Sequence, residues 1–265
     1  MEYFWYTYHE LPDDVGFSYF GVEHLTALAI VLAGIVACCL VFVRLGERGR
    51  DRMLKGIAVL VAAGEVARDV TLACVGHLDM EFLPLHLCSF AIMVFVVHAF
   101  MPDSRLRDAL GEISWCLLMP GSLCALLFPN WTAYPMLNFM NLHSFFWHAL
   151  IALYPVLLLL GGRIRPRVGH WWYAVVFLLV VVPPIYAFDV ATGYNYFFVN
   201  FPSAGTPLAT LYDLMGEWWR VGYAALALAV ILVMQALGQW LAGRVARSSG
   251  SRDLEGPASG PARTA

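Results

Sequence analysis

Apolar residues in this chain gather into seven long runs separated by short polar connections. Each run is close to the roughly 20 residues that an α-helix needs to cross a hydrocarbon core of about 30 Å. The runs are Val22–Val43, Met53–Val75, Leu83–Met101, Leu106–Phe128, Leu142–Gly161, His170–Val190 and Glu217–Leu241. The pattern predicts an all-α polytopic membrane protein, with seven transmembrane helices in one bundle over residues 22–243. Residues 1–21 are rich in Tyr, Phe and Trp and lack a basic start, so they read as an outer interfacial aromatic segment rather than a cleaved signal. From residue 244 onward Ser, Gly, Pro, Ala and Arg replace the apolar pattern, which predicts a disordered cytoplasmic tail over 244–265.

Composition agrees with a lipid solvent. The chain is 60% hydrophobic and 13% charged, with a mean hydropathy of +0.69, against about 45–50% apolar and about 25% charged in soluble domains. The net charge of −3 and the absence of a basic patch or of zinc-finger or helix-turn-helix spacing give nucleic acid nothing to bind. Lys and Arg set the orientation, because basic loops stay in the cytoplasm. Of the 16 basic residues, 14 fall beside alternate connections: Arg44 to Lys55, Arg105 and Arg107, Arg163 to Arg167, and Arg244 onward. The expectation is a multi-pass protein of the cell membrane, N-terminus outside and C-terminus in the cytoplasm. Arg68 and Arg220 are the two cations outside this scheme.

Ionisable side chains inside such runs are costly and mark function or buried pairing. They concentrate in the outer halves: Glu23 and His24, Glu65, Arg68 and Asp69, His86 and Cys88, His143 and His148, Asp189, Glu217 and Arg220. The cytoplasmic halves hold little beyond His98 and Glu112. Either these groups line an outward-facing polar chamber, or each helix end simply carries interfacial polar residues. Glu65, Arg68 and Asp69 share one helix face at i, i+3, i+4, which suits a structural ion pair as well as a substrate site. Pro84 reads as a first-turn proline, so Cys88 falls near a helix start, where free N–H groups favour a thiolate. His86 lies about 200° round the helix from Cys88, so a base must come from elsewhere. Asn141, Ser144 and His148 share a face, which makes His148 first candidate and His143 second. Cys38, Cys39, Cys74, Cys116 and Cys124 read as packing residues. No metal-binding spacing is present, no cofactor is implied, and the last run lacks the lysine of a retinal protein.

Three segments carry a resemblance: LPLHLC at Leu83–Cys88, FFWHALI at Phe145–Ile151, and GYNYFFVNFPSAGTPLATLYDL at Gly193–Leu214. From about Phe20 to Leu241 the chain resembles the YwaF family of bacterial integral membrane proteins, related to the animal transmembrane protein 164. That relative moves fatty acyl chains onto ether lysophospholipids through a proposed acyl-carrying cysteine. The resemblance implies that Cys88 matches this cysteine and His148 the helix-five histidine. The resulting expectation is an intramembrane acyltransferase or lipid hydrolase acting on a membrane phospholipid or lysophospholipid. Cys88 is its nucleophile and His148 its base, with His86 and His143 nearby. Arg68 or Arg220 would hold a phosphate, with Glu65, Asp69, Asp189 and Asn141 also lining the substrate site. The alternative is a transporter or receptor-like protein that binds a small solute noncovalently in the same chamber.

Overall fold

The computed structural model describes residues 3–7, 10–203 and 205–254, with side chains as far as Val245. Among these the chain is all-helical, built on seven principal helices: α1 (Val22–Arg44), α2 (Glu47–Cys74), α3 (Phe90–Phe100), α4 (Arg105–Leu127), α5 (Phe139–Leu160), α6 (Trp172–Thr192) and α7 (Trp219–Leu254). A short helix, Pro207–Met215, precedes α7. Five stretches are long and apolar enough to cross a membrane: Val22–Arg44, Arg105–Leu127, Phe139–Leu160, Val168–Thr192 and Pro207–Val245.

Two of the seven predicted runs depart from that standard, each for a visible reason. α2 has 28 residues, ample length, but Glu65, Arg68 and Asp69 interrupt its apolar half. The run expected to begin at Leu83 begins instead at Leu87. Pro84 forces Leu83 into an extended conformation (φ −57°, ψ 143°), and His86 is extended too (φ −72°, ψ 154°). Pro84 therefore sits in a turn, not in the first turn of a helix. A 3-residue 3₁₀ turn, Leu87–Ser89, then runs into the 11-residue α3. Together they rise about 21 Å, short of a full crossing. At the other end of the chain α7 continues to Leu254, past the boundary expected at residue 243. The rest of the expected tail, 255–265, lies outside the described residues.

α5 occupies the centre. Thirteen of its positions from Ser144 onward, among them Ile151, Leu153, Tyr154, Leu157 and Leu158, are buried against α1, α2 and α4. Tyr154 stacks on Phe95 of α3 at 4.1 Å between ring centres, and its hydroxyl pairs with His98 Nδ1 at 2.9 Å. α4 relaxes into a π-helical turn at Ser114–Leu118. From this turn Trp115 Nε1 donates to the Met234 carbonyl of α7 at 2.7 Å. The outward surface is apolar: Val22, Leu25, Ile30, Leu32, Val36 and Leu40 of α1 are exposed, as lipid-facing positions of a membrane bundle are.

The basic connections meet at one end. Arg163, after α5, reaches Glu47 at the start of α2 (3.1 Å), and Lys55 pairs with Asp51 (2.8 Å). At the opposite end the aromatic N-terminal segment docks on the start of α5. There Asn138 Nδ2 donates to the carbonyls of Tyr3 (2.7 Å) and Tyr6 (2.9 Å), and Trp5 packs on Phe139. Glu10 closes this region with a 3.2 Å contact to His77. Its carboxyl is held below the usual carboxylate range by the Thr7 backbone N–H and by His77.

Candidate functional site

His148 is one helical turn from Ser144 on α5 and is 4% exposed. Its Nδ1 lies 2.9 Å from the Ser144 carbonyl oxygen and 3.1 Å from the Ser144 hydroxyl. A carbonyl cannot donate, so the proton sits on Nδ1 and Nε2 presents a lone pair. Nε2 has no hydrogen-bond partner among the described residues. The ring is gripped by two indoles, Trp147 edge-on at 5.4 Å and Trp131 at 5.9 Å with a 35° tilt. His143 differs. Its Nε2 donates to the Gly64 carbonyl of α2 at 3.0 Å and its ring stacks on Trp147, whose own N–H donates to Val61 at 2.8 Å. These contacts fasten α5 to α2. Gly64 permits them, since a Cβ there would lie 3.1 Å from the Trp147 ring.

Cys88 stands in the opening turn that leads into α3, half-buried. Its neighbour Leu87 rests on Gly121 of α4, where a Cβ would approach the Leu87 side chain to 3.1 Å. The next α4 residue, Ser122, donates to the His148 carbonyl at 2.6 Å. The Gly121–Ser122 stretch of α4 is thus a common wall behind the Cys88 turn and the His148 backbone. Cys88 has Cys124 and Glu65 as electrostatic neighbours, and His148 has His143 and His86. No hydrogen bond joins Cys88 to His148 among the described residues.

The α2 acids and Arg68 are tied to one another. Arg68 Nη2 lies 3.0 Å from Glu65 Oε1 and 2.7 Å from Asp69 Oδ1, and it donates to the Phe82 carbonyl at 2.6 Å. Ser89 Oγ, beside Cys88, donates to the same Glu65 oxygen at 3.2 Å. Arg68 therefore staples α2 to the Met80–Ser89 turn that presents Cys88. Asn141 Nδ2 donates to the Tyr134 and Pro135 carbonyls, 2.9 Å each, and so holds the loop that carries Trp131.

Asp189 and Arg220 belong to a neighbouring group. Asp189 is fully buried and accepts the Tyr196 N–H at 3.0 Å. Arg220 donates to the Val199 and Asn200 carbonyls at 2.8 and 2.6 Å. Between them Phe197 and Phe198 adopt the left-handed region (φ 55° and 56°), a strain that side chains with a Cβ seldom accept. The link to the first group is His86, whose ring packs on Tyr196 at 4.9 Å. Burial holds the Tyr196 hydroxyl up at about 12, and it donates to the Met80 carbonyl.

Sequence reasoning missed three features. Trp131 looks like any interfacial tryptophan in the sequence, yet its buried indole nitrogen has no acceptor among the described residues. Ser122 and Ser89 carry no charge to betray them. At the basic end Glu112 is buried in a network with His170 Nδ1 (2.7 Å), Gln235 Nε2 (3.1 Å) and the Arg167 N–H (3.4 Å), which fills that half of the bundle with more polarity than Glu112 and His98 alone suggested. A surface depression of about 240 Å³ lies at the start of α1, lined by Gly16, Phe17, Ser18, Gly21, Val22 and Glu23. His24 is buried and satisfied at both nitrogens, by the Phe20 N–H (3.0 Å) and the Leu126 carbonyl (2.8 Å). Among the described residues no three His, Cys, Asp or Glu side chains converge to hold a metal ion.

Compared with known proteins, residues 19–235 match a family model, that of the TMEM164 family. No curated protein and no solved structure matches the chain. The matched stretch includes α1 to α6 whole, together with Cys88, His148 and the strained Tyr196–Phe198 turn.

Proposed function

The chain belongs to the TMEM164 family, and on that footing we propose that it is a multi-pass membrane acyl-transfer enzyme with Cys88 as nucleophile and His148 as base. The observation that carries this reading is the 2.9 Å approach of His148 Nδ1 to the Ser144 carbonyl oxygen, which assigns the ring proton to Nδ1. With Nδ1–H held by the Ser144 carbonyl, Nε2 is the nitrogen left to take a proton, as covalent catalysis by a thiol requires. Membership of the family supports an acyltransferase-like chemistry.

In the first half-reaction the Cys88 thiol gives its proton to His148 Nε2 as sulfur attacks the carbonyl carbon of a phospholipid ester. The ester C–O bond breaks, and the leaving lysophospholipid oxygen takes the proton back from His148. In the second, a lysophospholipid hydroxyl loses its proton to Nε2, attacks the thioester, and the Cys88 thiol is restored. With water as acceptor the same steps amount to hydrolysis. Apo catalytic contacts are commonly long and tighten on binding, so the lack of a hydrogen bond between Cys88 and His148 among the described residues suits a resting state. His86 and His143 shape the wall of the site. Arg68, Glu65 and Asp69 hold the Cys88 turn, Asn141 holds the Trp131 loop, and Asp189 with Arg220 forms the rim, where Arg220 Nη1 serves a headgroup phosphate.

Topologically we read all seven principal helices as membrane-embedded in the cell membrane, with the Arg163–Arg167 end in the cytoplasm and the catalytic end outside. Single cysteines in that loop should react with an impermeant maleimide only after the membrane is opened; labelling of intact cells overturns the orientation. The enzymatic reading is tested by incubating purified protein with phospholipid and lysophospholipid and following acyl exchange. Cys88→Ala and His148→Ala should each abolish exchange without loss of fold, and the double variant should be no worse than either, because members of one catalytic unit are not additive. Undiminished exchange in both single variants would leave noncovalent solute binding as the better reading.

A further inference from the structure

We propose that Trp131 is a further catalytic residue of this site, its indole N–H donating to the acyl carbonyl oxygen as that oxygen gains charge beside His148. The inference rests on the acyl-transfer reading above and adds the group that reading lacks, a donor for the oxyanion.

Two tryptophans flank the His148 ring, and the fold treats them differently. Trp147 gives its N–H to the Val61 carbonyl at 2.8 Å, so its role is complete within the bundle. Trp131, its ring 5.9 Å from the imidazole with a 35° tilt, has an indole nitrogen that is buried and has no acceptor among the described residues. Buried donors are almost always paired in native proteins, and one left open beside a titratable ring calls for an acceptor that arrives with the ligand.

The loop that carries Trp131 is held firmly by contacts that leave the indole out. The Phe17 N–H donates to the Thr132 carbonyl at 3.0 Å, and Gly16 lies so close behind that a Cβ would come within 2.1 Å of the same oxygen. Tyr134 N–H closes a turn on the Trp131 carbonyl at 3.2 Å. Asn141 holds the Tyr134 and Pro135 carbonyls. The backbone around Trp131 is therefore held in place while its indole N–H remains open among the described residues.

The chemistry of the group restricts what it serves. Indole N–H is a donor only, neutral, and gives up no proton at ordinary pH. It has no use for an ammonium or a hydroxyl proton, and it suits an oxygen that becomes more negative during reaction. In acyl transfer that oxygen is the ester or thioester carbonyl, which carries the charge of each tetrahedral intermediate and sits next to the carbon where Nε2 handles protons. A fixed donor there costs no reorganisation at the moment of reaction.

The test uses the full chain in detergent micelles with p-nitrophenyl decanoate, an activated ester whose release of nitrophenolate needs no knowledge of the natural lipid. Trp131→Phe should lower kcat about 100-fold, the scale for removing one oxyanion donor, with KM changed by less than about twofold. Should Trp131→Phe not fold, benzothienylalanine at position 131, the isostere with sulfur in place of N–H, gives the same comparison at unchanged ring volume. A benzothienylalanine protein with wild-type kcat would overturn the proposal, because a packing role survives that exchange and a donor role does not. Cys88→Ala separates the two levels. If Cys88→Ala is inactive and the Trp131 variants keep their kcat, only the Trp131 assignment falls. If Cys88→Ala turns over like the wild type, the acyl-enzyme reading falls and the Trp131 proposal with it.

Discussion

Removing Arg68 should destabilise the protein before it informs on chemistry. The Arg68 side chain is 13% exposed and its partner Glu65 4%, so Arg68→Ala leaves a buried carboxyl group without its cation. Losing one partner of a buried pair costs roughly 3–5 kcal/mol, because the other is stranded rather than rehydrated. The Asp69 contact adds little, since Asp69 is 33% exposed and exposed pairs contribute about 0–1 kcal/mol. The Phe82 carbonyl also loses a charged donor at 2.6 Å, which overlaps with the first cost because the same guanidinium serves both. The expected loss is therefore roughly 3–5 kcal/mol in total, measurable by reversible unfolding in mixed micelles. Two controls sharpen it. Asp69→Asn should cost no more than about 1 kcal/mol, and Glu65→Gln added to Arg68→Ala should recover much of the loss by removing the stranded charge. An Arg68→Ala protein within about 1 kcal/mol of wild type would refute the staple. Arg68 would then be better assigned to the substrate.

Gly238→Ala should destabilise by roughly 1–3 kcal/mol through overpacking, because its Cβ would lie 2.5 Å from Trp115 Nε1 and 2.7 Å from Pro166 Cβ. Gly34→Ala, with nothing within 4 Å, should be neutral or slightly stabilising in the same thermal melts. The Glu10 carboxyl is depressed in the folded state, first by the Thr7 N–H. Its contribution to docking of the N-terminal segment is therefore present above pH 4.5 and is lost as pH falls through the lowered value. The protection of the Thr7 amide, its exchange relative to the intrinsic rate at each pH, should fall over that acidic range, and Glu10→Gln should show the lower protection already at neutral pH; protection that does not change with pH would disprove the link.

Apolar runs made the seven principal helices legible, and five of the stretches are long and apolar enough to cross a membrane. At two ends the helices differ from the apolar runs for local reasons. Leu83–His86 is apolar enough to extend a helix, but Pro84 acts through its preceding residue and delays the start to Leu87. Ala242–Arg247 has lost its apolar character yet contains no proline, and α7 runs on through Gly243. The grouping of Glu65, Arg68 and Asp69 was visible from i, i+3, i+4 spacing. The partner that completes it was not, because the Phe82 carbonyl is a backbone group that no sequence pattern marks. The same holds for His148. Its spacing from Ser144 could be read, but the fixed proton comes from the Ser144 carbonyl and the indole grip depends on how the Trp131 loop folds back. The left-handed Phe197 and Phe198 had no sequence signal, since bulky residues are the last to be expected at positive φ.

The central claim, that Cys88 carries the acyl group, is tested most directly by trapping it. Wild-type protein is incubated briefly with p-nitrophenyl decanoate, quenched in acid, digested and mapped by mass. The account predicts one decanoyl group on the peptide containing Cys88, removed by neutral hydroxylamine as a thioester is, absent in Cys88→Ala and formed far more slowly in His148→Ala. Acylation confined to another residue, or a decanoyl thioester that forms on Cys88 at the same rate without His148, would contradict it.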